Sequence, residues 1–195
     1  MAMKKVGIIG DGNVGSALAH GIKRAGHEVQ VVGRDKQLIG ATAAWAEVVV
    51  LAVPFGAIDD VVRAAGDALA GKTLVDVTNA LNQDMGLAIG FTTSGAEELQ
   101  RKVPKARVVK AFNTVFAQHM DTGRVGNQTL TAFVAGDHTE SKAAVLELAR
   151  EIGFDAVNAG PLRNARLLEP LASLTIELGY RQQLGTQIGF KLLRP

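Results

Sequence analysis

A glycine-rich turn near the amino terminus constrains the fold more than any other feature of the sequence. The turn reads GDGNVG over residues 10–15, which is GxGxxG spacing, and it follows a short apolar run over residues 6–10. A second run rich in β-branched residues occupies residues 28–33. Between the two runs, apolar residues recur at the four-residue spacing of one helix face: Val14, Leu18 and Ile22. Strand, helix and strand thus fit within about 30 residues, the size of one βαβ unit.

Each glycine of this turn has a physical role in such a unit. Gly10 allows the sharp turn out of the strand, Gly12 lets a pyrophosphate approach the backbone, and Gly15 lets the helix pack closely on the strand. Asn13 and Val14 open the helix, whose free N–H groups and dipole attract phosphate. A glycine turn without a ligand is the alternative. The flanking strands and helix favour dinucleotide binding, because that context accompanies the motif in nucleotide-binding proteins.

The rest of the chain continues the alternation of strand and helix. Helices are predicted at 57–69, 95–102 and 140–152, with one short helix between 34 and 47, and strands at 48–53, 73–77, 107–112, 128–135 and 156–158. This pattern predicts an α/β protein with an NAD(P)-binding Rossmann fold, in which a doubly wound, mostly parallel sheet carries helices on both faces.

The carboxyl-terminal part differs from this alternation. Pro161 suits the first position of a helix, and Pro170 is expected to kink that helix or divide it in two. Five leucines predict a wide apolar stripe: Leu167, Leu168, Leu171, Leu174 and Leu178. We therefore expect a Rossmann domain over residues 1–160. Residues 161–195 are expected to form a small helical extension that completes the cleft or a homodimer interface.

The residues after the second predicted strand indicate which dinucleotide is bound. An acidic side chain at this point binds the ribose 2′-hydroxyl of NAD, but here Gly33 is followed by Arg34. Glycine leaves room, and a guanidinium holds a phosphate through two hydrogen bonds, with Lys36 as a second cation. This predicts NADP(H). Two alternatives stay open: Arg34 is a solvated loop residue, or Asp35 turns inward as the ribose acceptor.

Other candidate ligand contacts follow the later strands. Ligands of open α/β sheets bind beyond the carboxyl ends of the strands. Val53, Pro54 and Phe55 come next to the glycine turn in such a fold and are expected to wall the nicotinamide end, although Phe55 suits the core equally well. Asn79 and Asn113 follow the next two strands, where an amide can bond a ribose or carboxamide or simply serve the turn.

Composition and charge exclude several classes of function. The chain has no cysteine, which excludes disulfides, thiolate catalysis and cysteine-bound metals. Its 21 basic and 19 acidic residues are scattered and leave a net charge of +2, which argues against nucleic-acid and membrane partners. The longest apolar run, 48–58, is shorter than the roughly 20 residues needed to span a bilayer. We expect a cytoplasmic protein whose partner is a small molecule.

The sequence offers no clear catalytic residue and no metal site. Lys110 is the best acid/base candidate, but Lys110 and Asn113 lie at a strand end. The Lys–Asn pair of 6-phosphogluconate-type dehydrogenases lies one helical turn apart. Glu97 and Glu98 are adjacent and are expected to form a solvated face. Four scattered histidines are expected on helix or loop surfaces: His20, His27, His119 and His138.

Several stretches together resemble a known family of enzymes. They are GIIGDGNVGSALAHGIKRAGHEVQVVGRD, KAFNT, VAGDHTESKAAVLEL and the ending AGPLRNARLLEPLASLTIELGY with GFKLL. The chain resembles the NADPH:coenzyme F420 oxidoreductases over nearly its whole length, and it is similar to the cytoplasmic NADPH-binding domains of six-transmembrane metalloreductases.

The resemblance implies a Rossmann domain that holds NADPH and passes hydride directly to a deazaflavin (coenzyme F420) or a flavin such as FMN or FAD. It assigns Gly12, Asn13 and Val14 to the pyrophosphate, Gly33 and Arg34 to the 2′-phosphate, and Asn79 with the Phe112–Asn113 pair to the nicotinamide. The segment after Asn79, ALNQDMG, departs from the family pattern. The acceptor therefore stays open between F420 and a different flavin, a quinone or a small carbonyl. Two other functions also stay open: imine reduction, and a redox sensor that binds NADPH without turnover.

Overall fold

A seven-stranded sheet organises the computed structural model, which describes residues 3–82 and 84–194. The strand order is β2-β1-β3-β4-β5-β8-β9. The strands are β1 (Lys5–Ile9), β2 (Glu28–Val32), β3 (Val48–Leu51), β4 (Thr73–Asp76), β5 (Arg107–Lys110), β8 (Thr131–Gly136) and β9 (Asp155–Asn158), and a separate hairpin pairs β6 (Arg124–Val125) with β7 (Gln128–Thr129).

Helices cover both faces of the sheet. They are α1 (Asn13–Arg24), α2 (Lys36–Trp45), α3 (Ile58–Ala65), α4 (Gly95–Lys102), α5 (Thr139–Ile152) and α6 (Ala165–Ile176). Apolar side chains of α1 and α5 pack together in one core cluster, and those of α2, α3 and α4 pack in another. The predicted α/β Rossmann fold, with a helical extension after the last strand, is confirmed.

The order of the strands places a crevice at one edge of the sheet. Strands β2, β1, β3, β4 and β5 are all parallel, so their carboxyl ends lie at the same edge. The chain passes from β1 outward to β2 and then returns to β3 on the other side of β1, so the connections diverge there. Such a switch point leaves a gap between neighbouring loops, and ligands of this fold bind in it. β8 runs antiparallel to β5, and β9 is parallel to β8, so these two strands run opposite to the other five.

Two predicted elements differ from the structure by more than two residues at an end. The strand expected at 128–135 is divided, with β7 in the hairpin and β8 in the main sheet. The helix expected at 57–69 ends at Ala65, because Gly66 takes a φ of 52° and starts a separate 3₁₀ turn, Gly66–Leu69. That left-handed backbone suits glycine and interrupts helical hydrogen bonding.

The carboxyl-terminal helix is continuous but its leucines do not form one buried stripe. Pro170 lies inside α6 without dividing it, and a π-helical turn, Glu177–Arg181, extends the helix. Leu168 is buried, whereas Leu167 and Leu174 are exposed. The buried face of α6 instead includes a charged residue, Glu169.

Two of the four histidines are buried, in contrast to the prediction. His27 Nε2 lies 2.7 Å from Glu151 Oε2, and the backbone N–H of Lys4 donates to His27 Nδ1 over 3.2 Å. His119 Nε2 lies 2.9 Å from the carbonyl oxygen of Thr186. Each ring therefore joins segments that are distant in sequence.

In the two described stretches of the chain, no helix is long and apolar enough to cross a bilayer.

Candidate functional site

The glycine loop between β1 and α1 shows the close contacts that its spacing predicts. Gly10 has a φ of 119°, and a Cβ on Gly10 would overlap the carbonyl oxygen of Ala52 at the end of β3. A Cβ on Gly15 would overlap the carbonyl oxygen of Gly10. At Gly12, by contrast, a Cβ would meet nothing within 4 Å, so the backbone there faces open space. The first and third glycines serve packing, and the second leaves a cradle for a ligand.

The amino terminus of α1 is free to bind an anion. Gly12 occupies its N-cap position, and none of the described side chains caps its first-turn N–H groups. Three other helices use side chains for this purpose, namely Asp35 for α2, Ser94 for α4 and His138 for α5. Uncapped N–H groups and the helix dipole together favour a phosphate next to Gly12. The cradle at Gly12 and these donors fit the pyrophosphate of a dinucleotide.

A cavity of about 550 Å³ extends from the glycine loop to the end of β2. Its size is typical of a small-molecule site. Seven of the residues predicted from the sequence line it, namely Gly10, Gly12, Gly33, Arg34, Lys36, Val53 and Pro54. The structure therefore places the predicted 2′-phosphate residues and the predicted pyrophosphate loop on the same cavity.

The outer end of this cavity carries charges of both signs. Arg34 and Lys36 are exposed at its rim, and Arg34 has no ion-pair partner within residues 3–82 and 84–194. Asp35 caps α2 with its Oδ1, accepting from the N–H groups of residues 37 and 38 over 2.9 and 3.2 Å, and it does not line this cavity. Asp11 instead brings a carboxylate to this end, because a Cβ on Gly33 would lie 2.5 Å from Asp11 Oδ2. Sequence reasoning overlooked Asp11, although it lies within the glycine motif.

A second cavity of about 320 Å³ continues the crevice past β3 to the end of β4. It shares Gly12, Val53 and Pro54 with the first cavity. The predicted residues that line it are Gly12, Asn13, Val14, Val53, Pro54, Phe55 and Asn79. No titratable side chain is among the described residues that line this second cavity. The crevice thus has a charged end at β2 and an uncharged end at β4.

Asn79 and Asn113 bond to each other rather than each facing the crevice. Asn79 Nδ2 donates to the carbonyl oxygen of Asn113 over 3.0 Å, and Asn113 Nδ2 donates to Asn79 Oδ1 over 3.0 Å. Asn113 Nδ2 also donates to the carbonyl oxygen of Leu168 in α6 over 2.9 Å. Asn113 is buried and does not line the cavity. Both N–H donors of the Asn113 amide therefore hold protein groups, whereas its Oδ1 has no partner among the described residues, and the predicted ligand contact stays a prediction.

Phe112 also lies behind the crevice. Its ring is buried and packs on the ring of Phe154, with centroids 5.6 Å apart. Its φ is 63°, a left-handed conformation that is uncommon for a bulky residue and is held only where the surroundings impose it. The Phe112 side chain lines neither cavity, and the predicted place of the Phe112–Asn113 pair on the nicotinamide side stays a prediction. Phe112 instead shapes the turn that carries Asn113.

The group behind the uncharged end of the crevice is a buried cluster of charges around Lys110. Lys110 Nζ lies 2.9 Å from Asp76 Oδ2, 2.9 Å from Glu169 Oε1 and 2.6 Å from the carbonyl oxygen of Thr78. Burial on its own would lower the pKa of Lys110, but the two carboxylates outweigh it, so the pKa lies above its ordinary value. Lys110 therefore stays protonated and is unsuited to act as a catalytic base.

Glu97 does not belong to a solvated face. Its carboxylate accepts two hydrogen bonds from Arg166 of α6, with Nε–Oε2 and Nη2–Oε1 distances of 2.8 and 2.7 Å. The hydrogen bond from Arg166 holds the pKa of Glu97 below its ordinary value, against the opposing effect of burial. Glu97 thus ties α4 to the carboxyl-terminal helix, whereas Glu98 pairs with Arg101 on its own helix.

A parallel sheet with a glycine loop at its switch point, an uncapped helix above that loop and a two-part crevice defines a dinucleotide-binding protein of the Rossmann class. The family model described as NADP oxidoreductase, coenzyme F420-dependent, matches residues 5–44 and 39–80. The chain is 31% identical to the F420-dependent NADP reductase of Methanothermobacter thermautotrophicus, over 94% of this chain and 92% of that protein. The protein belongs to this family of F420-dependent NADP reductases, as the sequence motifs predict.

Two further comparisons agree with this assignment. A crystal structure of a putative F420-dependent NADP-reductase from Arthrobacter sp. FB24 superposes with a TM-score of 0.89, at 32% identity, covering 98% of this chain and all (100%) of that one. Metalloreductase STEAP3 of Rattus norvegicus is 33% identical over 86% of this chain. The chain spans only 36% of the length of that metalloreductase, so the likeness concerns one part of it.

Proposed function

We propose that this NADP-dependent oxidoreductase passes hydride directly between NADP(H) and the ring of a deazaflavin, coenzyme F420, or of a flavin. Membership of the family of F420-dependent NADP reductases supports NADP(H) and coenzyme F420 as the two substrates. The observation that carries the proposal is the two-part crevice, with cations at the β2 end and no titratable side chain among its described lining residues at the β4 end. Such a lining suits a reaction in which hydride moves between two carbon atoms.

Different residues of the crevice bind different parts of NADP(H). Arg34 and Lys36 bind the 2′-phosphate, and the N–H groups around Gly12, Asn13 and Val14 bind the pyrophosphate. Gly10 and Gly15 contribute indirectly, because they allow the turn and the close approach of α1. Val53, Pro54 and Phe55 lie along the far cavity and would wall the nicotinamide, next to Asn79.

The protein contributes orientation and exclusion of water rather than an acid or base. When the nicotinamide and acceptor rings are bound, they supply the chemistry themselves, and the proton that balances the reduced acceptor comes from solvent. The apolar wall of Val53, Pro54 and Phe55 displaces water from the reacting faces. Holding two rings in reactive geometry accounts for a large part of the acceleration of such a step.

Rapid mixing with NADPH tests the reaction. We expect loss of nicotinamide absorbance when F420 is added, with FMN and FAD as comparison acceptors. Failure of all three acceptors, together with tight NADPH binding, would contradict hydride transfer to a ring acceptor. Turnover with a quinone, carbonyl or imine alone would assign the chain to another reductase activity, and binding without any turnover would favour a redox sensor.

Calorimetry with an Arg34→Ser variant tests the binding mode. Loss of a charge-assisted pair costs about 1.5–3 kcal/mol, so we expect NADPH affinity to fall by about tenfold to a hundredfold while NADH affinity changes little. Arg124→Ser is the matched control, because Arg124 is an exposed arginine of the β6–β7 hairpin and does not line the cavity. An equal effect of both substitutions would contradict the assignment of Arg34.

We further propose that residues 1–160 form the NADP-binding unit and that residues 161–195 complete the cleft in a homodimer. Leu167 and Leu174 are 68% and 48% exposed, and they lie on one face of α6 with half-buried Leu171. An apolar face of this kind suits a second copy of the chain. Light scattering should show a dimer, and Leu174→Asp should make it monomeric. Leu38→Asp, at an exposed leucine of α2, should not.

A further inference from the structure

We propose that Lys110 is a positioning residue that couples the nicotinamide end of the crevice to helix α6. The proposal rests on the proposed function, because it concerns the site in which the nicotinamide would lie. Lys110 is completely buried, and its ammonium contacts groups from two distant parts of the chain. These are Asp76 and Thr78 at the end of β4, and Glu169 in α6.

The contacts of the ammonium are complete. An ammonium has three N–H donors, and Lys110 Nζ has three acceptors at 2.9, 2.9 and 2.6 Å. The carboxylates also hold backbone groups. Asp76 Oδ1 accepts from the N–H of Thr78 over 2.9 Å, and Glu169 accepts from the N–H groups of Gly95 and Ala96 over 2.9 and 3.2 Å. The three charged side chains together therefore link β4, β5, α4 and α6.

The cluster lies directly behind the residues that face the crevice. Thr78 lines the second cavity with its neighbour Asn79, and both backbone groups of Thr78 are held by the cluster, its carbonyl by Lys110 and its N–H by Asp76. Asn79 is held in turn by Asn113, which also bonds to α6 through Leu168. Two independent links thus connect α6 to the turn Thr78–Asn79, and Lys110 forms the charged one.

This arrangement suits positioning better than stability alone. Replacing a buried charge cluster by apolar residues often leaves a protein as stable or more so, so stability is weak grounds for keeping one. The Thr78 hydroxyl is buried at the cavity without a hydrogen-bond partner within the described residues, which leaves it available to a ligand group. A fixed Thr78 backbone determines where that hydroxyl and Asn79 lie relative to the nicotinamide.

The test compares ligands that fill one or both ends of the crevice. Adenosine 2′,5′-bisphosphate carries the 2′-phosphate but no nicotinamide, so it reports on the β2 end alone. We expect Lys110→Met to weaken NADPH binding, or slow hydride transfer from bound NADPH, by about tenfold or more, because small misplacements of a reacting group have effects of this size. Affinity for the bisphosphate should stay within about twofold, as the cluster does not contact that end.

Lys72→Met is the matched control. Lys72 lies beside the opposite end of β4, where its ammonium donates to the carbonyl oxygens of Ala44 and Ala46 over 3.2 and 2.5 Å. This substitution also removes a lysine whose ammonium bonds to main-chain carbonyls. It should leave the affinities for NADPH and for the bisphosphate, and the rate of hydride transfer, unchanged. Glu169→Gln, which keeps an acceptor for Lys110, should show a smaller effect of the same kind and covers the case in which Lys110→Met fails to fold. Equal losses for both ligands, or no change in either, would overturn the proposal.

Hydrogen exchange separates this proposal from the proposed function. In Lys110→Met or Glu169→Gln without ligand, amides of residues 78–82 and of α6 should exchange faster together, by about tenfold, while those of β2 stay unchanged. This outcome is measurable even if the wild-type protein binds no NADPH, which would contradict only the proposed function. Unchanged exchange in residues 78–82 would contradict the proposed coupling of the crevice to α6 through Lys110, even if NADPH binds.

Discussion

The Asp11 carboxylate lies over the α-carbon of Gly33, in the space that a side chain at position 33 would occupy. Arg34 lies next along the chain, so an anionic and a cationic group meet at the end of the cavity that should hold the adenosine ribose. A 2′-phosphate would be attracted by Arg34 and repelled by Asp11. We therefore expect the balance of the two charges, rather than Arg34 alone, to set the preference for NADP(H) over NAD(H).

Removing the negative charge at this position should strengthen the preference for NADP(H). We expect Asp11→Asn to raise the ratio of NADPH to NADH affinity by about threefold to tenfold, because two exposed charges a few ångströms apart interact by about 1 kcal/mol in water. Calorimetry with both dinucleotides measures the ratio. Asp60→Asn is the control, since Asp60 lines the same cavity but pairs with Arg63. An unchanged or lower ratio in Asp11→Asn would refute this view of the site.

Alanine should affect different properties at two glycines of the same loop: protein stability at Gly15 and NADPH binding at Gly12. Gly15→Ala forces a methyl group into the carbonyl oxygen of Gly10, and backbone there has little room to move, so we expect a loss of about 3 kcal/mol in the free energy of unfolding. Gly12→Ala meets nothing and should stay within about 1 kcal/mol of the wild type, yet weaken NADPH binding. Urea denaturation and calorimetry distinguish them. Equal stability of the two variants would show that the loop tolerates a side chain at Gly15.

The Glu97–Arg166 pair should make the attachment of α6 sensitive to acid. Because the folded pKa of Glu97 lies below its ordinary value of about 4.3, the pair stabilises the protein fully above that pH and less as pH falls through the folded pKa. Glu97→Gln should therefore unfold at lower urea than the wild type at pH 7, with a gap that closes below pH 4. Glu98→Gln, outside the α6 contact, should show a smaller gap. A gap independent of pH would contradict the ionic origin of the effect.

The amide of Asn113 should resist replacement by a carboxylate of the same shape. Its Nδ2 donates to Asn79 Oδ1 and to the carbonyl oxygen of Leu168. Asn113→Asp would replace this donor by a carboxylate oxygen, which cannot donate to either of these oxygens. Each unsatisfied buried acceptor costs about 1–3 kcal/mol, and we expect a loss of about 3 kcal/mol or more. Asn82→Asp is the matched control, because Asn82 uses its side-chain oxygen to accept from two backbone N–H groups. Thermal unfolding of both variants measures the difference.

Short-range patterns were sufficient to predict the first half of the fold. The glycine spacing, the helix stripe after it and the second strand are all local in sequence, and the allowed backbone conformations of glycine tie them to one geometry. For the same reason these patterns alone place Gly12, Arg34 and Val53 at one edge of a sheet. The resemblance of whole stretches to a known family extended that prediction to the carboxyl-terminal helix.

What the sequence determined by itself is the Rossmann unit with its phosphate loop, because turns and periodicity act between neighbours in the chain. The tertiary structure alone decided that Lys110 joins Asp76 and Glu169, that Asn79 and Asn113 bond to each other, and that Asp11 covers Gly33. The first two arrangements depend on the register of β4 on β5 and on the docking of α6, and the third depends on the register of β1 on β2. No periodic pattern encodes such contacts, since each depends on where a distant segment packs.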